Sequence, residues 1–229
     1  MENKIILDLC GGTGSWSLPY VEAGYDVRLL TLPEHDVRHF QNIEYREWKG
    51  YKEHWREIEQ GNIYGILAAP PCTMFSYART NAKVPRDLKE GMECVRACLD
   101  IIWRCMEIQQ DTTKKTLPLQ FWALENPYHG FLKKFLGKPA FIFDPWEFGD
   151  GYQKRTALWG WFNEPKKTPI PLTEEAKAKT NSHLHTLGIK FDMLASKDIH
   201  PEAFGKMDRQ TRRSITPQGF AKSFFEANR

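Results

Sequence analysis

An apolar run that ends in a Pro-Pro step and a cysteine constrains this chain more than any other feature. The sequence from Tyr64 to Arg79 is YGILAAPPCTMFSYAR, which predicts a buried strand followed by a loop that carries Cys72. Pro70 and Pro71 fix the backbone just before the thiol. Ligands bind at the carboxyl edge of open α/β sheets, so Cys72 is a candidate nucleophile. The alternative is that Cys72 is a small buried hydrophobic residue, as most cysteines near strand ends are.

Length and composition narrow the class of protein. A chain of 229 residues forms one domain, or one domain with a small appendage. The amino terminus has no long apolar segment, and the chain has no run of about 18 apolar residues, so we expect a cytoplasmic protein that does not meet a membrane. The five cysteines form no CxxC pair, which argues against a disulfide framework or a zinc site. We expect a monomer without a metal.

Charge is distributed unevenly along the chain. Residues 130–229 carry 17 Lys and Arg against 11 Asp and Glu, and residues 1–129 carry 15 against 18. The second half is therefore basic (+6) and the first slightly acidic (−3). A basic half fits a polyanionic partner, although a solvated basic face accounts for it about as well.

A glycine-rich turn follows the first predicted strand. Lys4 to Leu9 has the apolar pattern of a strand, CGGTGSW comes next, and a helix is predicted from Trp16 to Ala23. This order is typical of the opening of a Rossmann-like nucleotide site, although the spacing is neither GxGxxG nor a P-loop. Glycines let a ligand approach the backbone, and the start of the helix favours an anionic group.

A second strand is predicted from Val27 to Leu32, and two acidic residues follow it. Glu34 and Asp36 stand where the ribose and base of a cofactor commonly meet carboxylates. Each is equally compatible with a plain loop residue.

The middle of the chain predicts a helix and then another strand. Apolar residues at 92, 95, 99, 102, 103 and 106 predict a helix over Lys89–Gln109 with one buried face. Cys94, Cys98 and Cys105 are part of this helix, and it needs no further role for them. Phe121 to Glu125 is the next predicted strand. It delivers a carboxyl group to the same edge of the sheet as Cys72.

The remaining segments are less regular. A basic, aromatic segment covers residues 131–138, and Arg155 opens or precedes a predicted strand that runs to Phe162. Residues 163–213 predict a long basic surface excursion with a short helix at Glu174–Lys179. A last helix, Thr216–Asn228, should pack back onto the sheet.

Four of these segments, LDLCGGTGSWS, APPCTMFS, ALENP and YQKRTALWG, occur in the order of the motifs of one family. The chain resembles the S-adenosylmethionine-dependent cytosine-C5 DNA methyltransferases over about residues 3–162. The residues that carry the resemblance are Pro71-Cys72, Phe75-Ser76, Glu125-Asn126, Gln153 and Arg155. It implies an α/β, Rossmann-like class I methyltransferase fold, with a mixed, mostly parallel sheet and helices on both faces. Residues 1–162 would form the catalytic domain, 163–213 a reduced target-recognition region, and 214–229 a terminal helix.

The resemblance implies roles for three catalytic residues. Cys72 matches the thiolate that adds to carbon 6 of cytosine, and Glu125 matches the carboxylic acid held at ring nitrogen 3. Arg155 matches the first arginine of the motif Gln-x-Arg-x-Arg, which would help to hold the base and stabilise the thiolate, while Ala157 takes the place of the second. The base that removes the proton from carbon 5 is not identified by the sequence; a water near Ser76 or Asn126 is one possibility.

The implied cofactor is S-adenosylmethionine. It would lie over Gly11, Gly12 and Gly14, with Asp8 beneath the loop and Trp16 and Pro70 beside it. Glu34 is assigned to the ribose and Asp36 to the adenine, although Leu32 stands where the family places its acidic residue.

The implied partner is double-stranded DNA with a flipped cytosine. The residues assigned to the substrate are Pro71, Ser76, Arg79, Asn126 and Gln153, and the loop Thr73–Pro85 would close over the base. Two alternatives stay open: the same carbon-5 chemistry on RNA or a free nucleotide, and a catalytically silent homologue that binds nucleic acid or S-adenosylmethionine. The sequence does not distinguish restriction, anti-restriction and regulation.

Overall fold

A computed structural model of the protein describes residues 4–41, 50–77, 82–110, 118–171, 173 and 205–229. At its centre is a six-stranded sheet with the order β2-β1-β3-β4-β6-β5. The strands are β1 (Ile5–Leu9), β2 (Asp26–Leu30), β3 (Ile63–Ala68), β4 (Phe121–Pro127), β5 (Phe141–Phe143) and β6 (Thr156–Trp161). β1 to β4 run parallel, and β6 is antiparallel to both β4 and β5. The expected α/β class and mostly parallel mixed sheet are confirmed, and the arrangement is compatible with a Rossmann-like fold.

Helices connect these strands in the described parts of the chain. They are α1 (Leu18–Glu22), α2 (Lys52–Glu59), α3 (Leu88–Gln110), α4 (Lys133–Leu136), α5 (Arg209–Ser214) and α6 (Gln218–Ala227). Short 3-10 helices occur at Val37–Gln41 and Pro145–Phe148. None of the described helices is both long and apolar enough to cross a membrane.

Side chains of the central strands alternate between two hydrophobic clusters, because successive residues of a strand point to opposite faces. Ile66 and Leu124 belong to the cluster that also contains residues of α2 and α3. Leu67 and Ala123 belong to the cluster that contains Tyr20 of α1 and the aromatic residues of α6. Helices thus cover both faces of the sheet, as expected.

Helix α3 confirms the helix that was predicted over Lys89–Gln109 and the presence of cysteines on it. Not all of the residues predicted for its buried face are buried. Cys98 and Cys105 are buried along the side that packs on the sheet. Trp103 and Met106 were expected on this side, and this expectation is wrong: their side chains are 50% and 39% exposed. Each follows a buried position, Ile102 or Cys105, by one residue, which turns it about 100° away from the core.

Several boundaries differ from those predicted. β2 ends at Leu30 rather than Leu32, and β6 ends at Trp161 rather than Phe162, while its start at Thr156 agrees with the prediction that Arg155 opens or precedes it. β4 continues to Pro127 because Asn126 and Pro127 pair with β6, so Glu125 lies inside this strand rather than at its end. The terminal helix packs back on the sheet as expected. The helix predicted at 174–179 lies outside the described residues.

Candidate active site

The candidate site lies at the carboxyl edge of the sheet, beyond the ends of β1 and β3. The chain leaves β1 toward β2 on one side and later returns to β3 on the other, so this gap is the topological switch point of the sheet. The backbone N–H of Ala69 donates to the carbonyl of Leu9 at 2.9 Å and holds the two strand ends together. The glycine-rich loop after β1 and the cysteine loop after β3 therefore leave the sheet side by side.

Cys72 is held by a tight turn that its own carbonyl closes. This carbonyl accepts the backbone N–H groups of Phe75 and Ser76, each at 2.9 Å. The thiol is half-buried, Pro70 before it is buried, and Pro71 is exposed. The proline step and the turn together restrict where the thiol can move.

Asn126 joins the end of β4 to the loop that carries Cys72. The residue is 1% exposed, and its Nδ2 donates to the carbonyl of Pro70 at 3.0 Å. Its Oδ1 is also buried and accepts no hydrogen bond from the described residues. Asn126 therefore has a structural contact on one side of its amide and a spare acceptor on the other.

Glu125, the neighbour of Asn126, acts electrostatically on Cys72. Glu125 lies opposite Leu158 of β6, on the sheet face that α1 and α6 cover. Burial raises the pKa of Glu125, which favours the neutral carboxyl. The pKa of Cys72 is also raised, first by burial and then by the negative charge of Glu125. The structure thus brings together these two predicted catalytic residues.

A lysine that the sequence did not single out also acts on this pair. The positive charge of Lys154 lowers the pKa of Glu125, and Lys154 and Arg213 both lower that of Cys72. The sequence signal was present, because Lys154 lies between Gln153 and Arg155 of the motif. Which of the two adjacent cations acts on the thiol, however, depends on contacts with segments distant in sequence, such as the ion pair of Arg155 with Asp144.

Arg155 makes its own ion pair away from Cys72. Its guanidinium Nη1 lies 3.1 Å from a carboxylate oxygen of Asp144, and its side chain is 49% exposed. The other carboxylate oxygen of Asp144 accepts the backbone N–H of Lys154 at 3.1 Å. Asp144 thus fixes both residues at the start of β6. The assignment of Arg155 to the base remains a prediction.

The predicted substrate residues are found in different settings. Ser76 forms an antiparallel bridge with Gly130, in the loop that follows β4. Gln153 is half-buried next to Lys154. Arg79 lies outside the described residues.

The glycine-rich loop closes directly over Asp8. A Cβ atom on Gly11 would lie 2.2 Å from Oδ1 of Asp8, and Gly12 and Gly14 adopt positive φ angles of 56° and 69°. Asp8 is fully buried, and its Oδ2 accepts the hydroxyl of Ser17 at 2.5 Å. Its Oδ1 has no hydrogen-bond donor among the described residues, and burial raises its pKa to about 6. The loop therefore needs glycine and covers a carboxyl group with a spare acceptor.

The residues that flank this loop connect it to the end of the chain. Trp16 is 2% exposed and packs against Phe220 and Phe224 of α6, with ring centroids 5.9 and 5.4 Å away. The hydroxyl of Ser15 accepts the backbone N–H of Thr216 at 2.8 Å. This contact between the glycine-rich loop and the segment before α6 has no local signal in the sequence.

The two carboxylates assigned to the ribose and adenine differ in their surroundings. Glu34 is exposed. Asp36 forms an ion pair with Arg38 at 2.6 Å, and its hydrogen bonds with Arg38 lower its pKa. A ligand that used Asp36 would compete with this arginine. Both assignments remain predictions.

The described residues therefore define an α/β protein whose sheet edge carries a half-buried thiol, a carboxyl group and a lysine beside a glycine-rich loop. No three His, Cys, Asp or Glu side chains in the described ranges are placed to hold a metal ion. No protein-family model matches this chain, and no curated protein matches it significantly.

Proposed function

We propose that this protein is an S-adenosylmethionine-dependent DNA (cytosine-5)-methyltransferase with a class I methyltransferase fold. The observation that carries the proposal is that Cys72, in the loop after β3, and Glu125, near the end of the neighbouring strand β4, lie on two segments that the hydrogen bond from Asn126 to Pro70 joins. Cys72 is fixed by the hydrogen bond from Asn126 to Pro70, and Glu125 is held in the ladder between β4 and β6. The sequence resemblance assigns the same two residues to attack on carbon 6 and to proton donation at nitrogen 3.

The glycine-rich loop fits the proposed cofactor. Gly12 and Gly14 adopt positive φ angles that favour glycine, and Gly12 is exposed, so a ligand can approach the backbone there. A side chain at Gly11 would collide with the carboxyl group of Asp8. The spare Oδ1 of Asp8 suits a cationic or hydrogen-bonding group. These residues would hold S-adenosylmethionine, which supplies an electrophilic methyl group when bound.

In the proposed chemistry on the base, the thiol acts first and the carboxyl group acts next. The Cys72 thiolate forms a bond to carbon 6, and the displaced electron pair moves through the ring toward nitrogen 3, where neutral Glu125 donates its proton. Carbon 5 thereby becomes nucleophilic and can be methylated. Nitrogen 3 then returns its proton to Glu125, a base removes the carbon-5 proton, the C5–C6 double bond re-forms, and the bond from carbon 6 to sulfur breaks and returns the thiolate. A water held at the spare Oδ1 of Asn126 would be placed to accept that proton.

The electrostatics couple these two residues. An ionised Glu125 opposes the thiolate, whereas a neutral Glu125 both donates to the base and leaves the thiolate opposed by burial alone. Lys154 and Arg213 favour the thiolate. The same environment thus supports both protonation states that the reaction requires.

A covalent trap tests the proposal. We expect the protein, incubated with S-adenosylmethionine and duplex DNA containing 5-fluorocytosine, to form an adduct that survives denaturation, because fluorine at carbon 5 cannot leave as the proton does. The adduct should disappear in Cys72→Ser and persist in Cys94→Ser, which changes a half-buried thiol of α3.

Transfer of label from S-adenosylmethionine to unmodified duplex DNA should yield 5-methylcytosine. No product and no adduct across duplexes of varied sequence would refute the proposal. Trapping by RNA or a cytidine nucleotide, but not by DNA, would establish the alternative substrate. Binding of DNA or S-adenosylmethionine without either product would establish a catalytically silent homologue.

A further inference from the structure

The loops that follow Cys72 and Glu125 join into a short ribbon beside the candidate site. Ser76 and Gly130 form an antiparallel bridge, and the backbone N–H of Tyr77 donates to the carbonyl of His129 at 3.2 Å. The N–H of Phe131 donates to the carbonyl of Phe75 at 2.9 Å. A surface on this ribbon is therefore rigidly connected to both predicted catalytic residues.

Cationic and aromatic side chains alternate on this ribbon and on the adjacent helix α4. The guanidinium of Arg86 lies 4.8 Å from the ring centroid of Phe131, and the ammonium of Lys134 lies 5.0 Å from the same centroid. The ring of Tyr77 meets Phe131 edge-on at 5.0 Å. We call the surface formed by Tyr77, Arg86, Tyr128, Phe131, Lys133 and Lys134 the basic–aromatic ridge.

Tyr128 extends the same pattern toward β6. The ammonium of Lys133 lies 4.2 Å from its ring centroid, and the guanidinium of Arg155 lies 5.9 Å from it. Stacking on a ring face orients a cation without neutralising it. The ridge therefore keeps its positive charge.

The cations of the ridge differ in what else they bind. Arg86 donates to the carbonyls of Met74 and Ser76, which anchors the turn after Cys72, and Arg155 is paired with Asp144. For Lys133 and Lys134, the described part of the chain provides no ion pair with a carboxylate. These two ammonium groups are available to an external anion.

We infer that the basic–aromatic ridge binds the sugar-phosphate backbone of the DNA strand that carries the target base, an inference that rests on the proposed function. Lys133 and Lys134 would each neutralise a phosphate, as lysines on DNA-binding surfaces do. The ring of Tyr77, which is 44% exposed, offers a stacking face to a base or sugar. An acidic protein segment would contact the cations but would not stack on the aromatic faces. Only a strand that carries the target base must also reach Cys72.

Salt-dependent DNA binding by matched double variants tests the inference. The ridge variant is Lys133→Ala/Lys134→Ala, and the control variant with the same change of charge is Lys166→Ala/Lys222→Ala, at two exposed lysines after β6 and on α6. Affinity for a fluorescein-labelled duplex is measured by anisotropy over a range of salt concentrations, without cofactor. Loss of two phosphate contacts should reduce the slope of log affinity against log salt by about 1.8 in the ridge variant and leave it unchanged in the control.

The outcomes separate this inference from the proposed function, which is measured independently by methyl transfer in the wild-type protein. Three results would each overturn the inference that the ridge binds DNA. They are an unchanged slope in the ridge variant, an equal change in the control variant, and no duplex binding by the wild type at low salt. A reduced slope would support the ridge even if the wild type transferred no methyl group. If the ridge variant lost affinity for a single-stranded RNA of the same sequence but not for the duplex, the ridge would be an RNA surface and the inference would be wrong.

Discussion

The side-chain amide of Asn126 donates a hydrogen bond to the backbone carbonyl of Pro70 at 3.0 Å, inside a region that solvent does not reach. This bond connects the end of β4 to the residue two positions before Cys72. It gives a physical reason for the sequence Glu-Asn in this strand: the first residue supplies the carboxyl group, and the second fixes the loop that carries the thiol.

Replacement of Asn126 by Ala should therefore damage both stability and activity. The buried carbonyl of Pro70 would lose its donor, which costs about 1–3 kcal/mol in the free energy of unfolding. Urea denaturation measures this loss, and the 5-fluorocytosine adduct measures the effect on Cys72. Full stability together with a normal yield of adduct would show that the Pro70 loop does not depend on Asn126.

Glu125→Gln should have opposite effects on the reactivity of the thiol and on methyl transfer. The substitution removes the negative charge of the ionised form of Glu125, which raises the pKa of Cys72. This pKa should therefore fall, and iodoacetamide should alkylate Cys72 faster at a fixed pH at which the ionised form is present. Methyl transfer should fall by about 100-fold or more, because an amide cannot donate a proton to nitrogen 3 as the acid does. Peptide mass spectrometry measures alkylation at Cys72 itself. Slower alkylation would contradict the electrostatic coupling of the two residues.

Lys154→Met should slow the alkylation of Cys72, since Lys154 lowers the pKa of this thiol. A higher pKa leaves less thiolate at a fixed pH near neutrality, so the rate should fall by about threefold. Arg155→Met is the matched comparison, because it removes the same charge from the adjacent residue, whose guanidinium is paired with Asp144. We expect a much smaller effect from Arg155→Met. The reverse order would give Arg155, and not Lys154, the role of stabilising the thiolate.

Lys154 and Arg155 also illustrate which features of the site cannot be predicted from the sequence. Five of the six described strands, the long helix α3 and the terminal helix follow from periodicity, which is a local property of the chain, whereas the mixed sheet was implied by the family resemblance. The orientation of Lys154 depends on the register between β4 and β6 and on Asp144, which occupies Arg155. These are contacts between segments distant in sequence, and periodicity does not encode them.

The same limit applies to the residues assigned to the cofactor. The glycine-rich turn was recognisable because its backbone needs glycine, and the carboxyl group of Asp8 lies directly beneath it. The burial of Trp16, in contrast, depends on Phe220 and Phe224, about two hundred residues further along the chain. The sequence predicts that Asp36 is a carboxylate near the end of the second strand. Its ion pair with Arg38, in contrast, is a property of the folded loop.

The pKa of Asp8 leads to a prediction about stability and pH. Burial raises this pKa from 3.8 to about 6, so between about pH 4 and pH 6 the folded protein holds a proton that the unfolded chain has released. The contribution of a protonated Asp8 is fully present below pH 4, is lost as the pH rises through 6, and stays lost above it. The hydroxyl of Ser17 can still donate to an amide oxygen, so Asp8→Asn preserves the buried hydrogen bond and removes the titration.

Urea denaturation of the wild type and Asp8→Asn at pH 4.5 and pH 7 measures this effect, and titrations common to both proteins cancel in the difference. The free energy of unfolding of the wild type, relative to the variant, should fall by about 2 kcal/mol between pH 4.5 and pH 7, because Asp8 is already mostly ionised in the unfolded chain at pH 4.5 and ionises in the folded protein only as the pH passes about 6. A difference that does not change with pH would mean that Asp8 is already ionised in the folded protein at pH 4.5. It would then carry a full negative charge beneath the glycine-rich loop throughout the range, and its spare Oδ1 would require a hydrogen-bond donor.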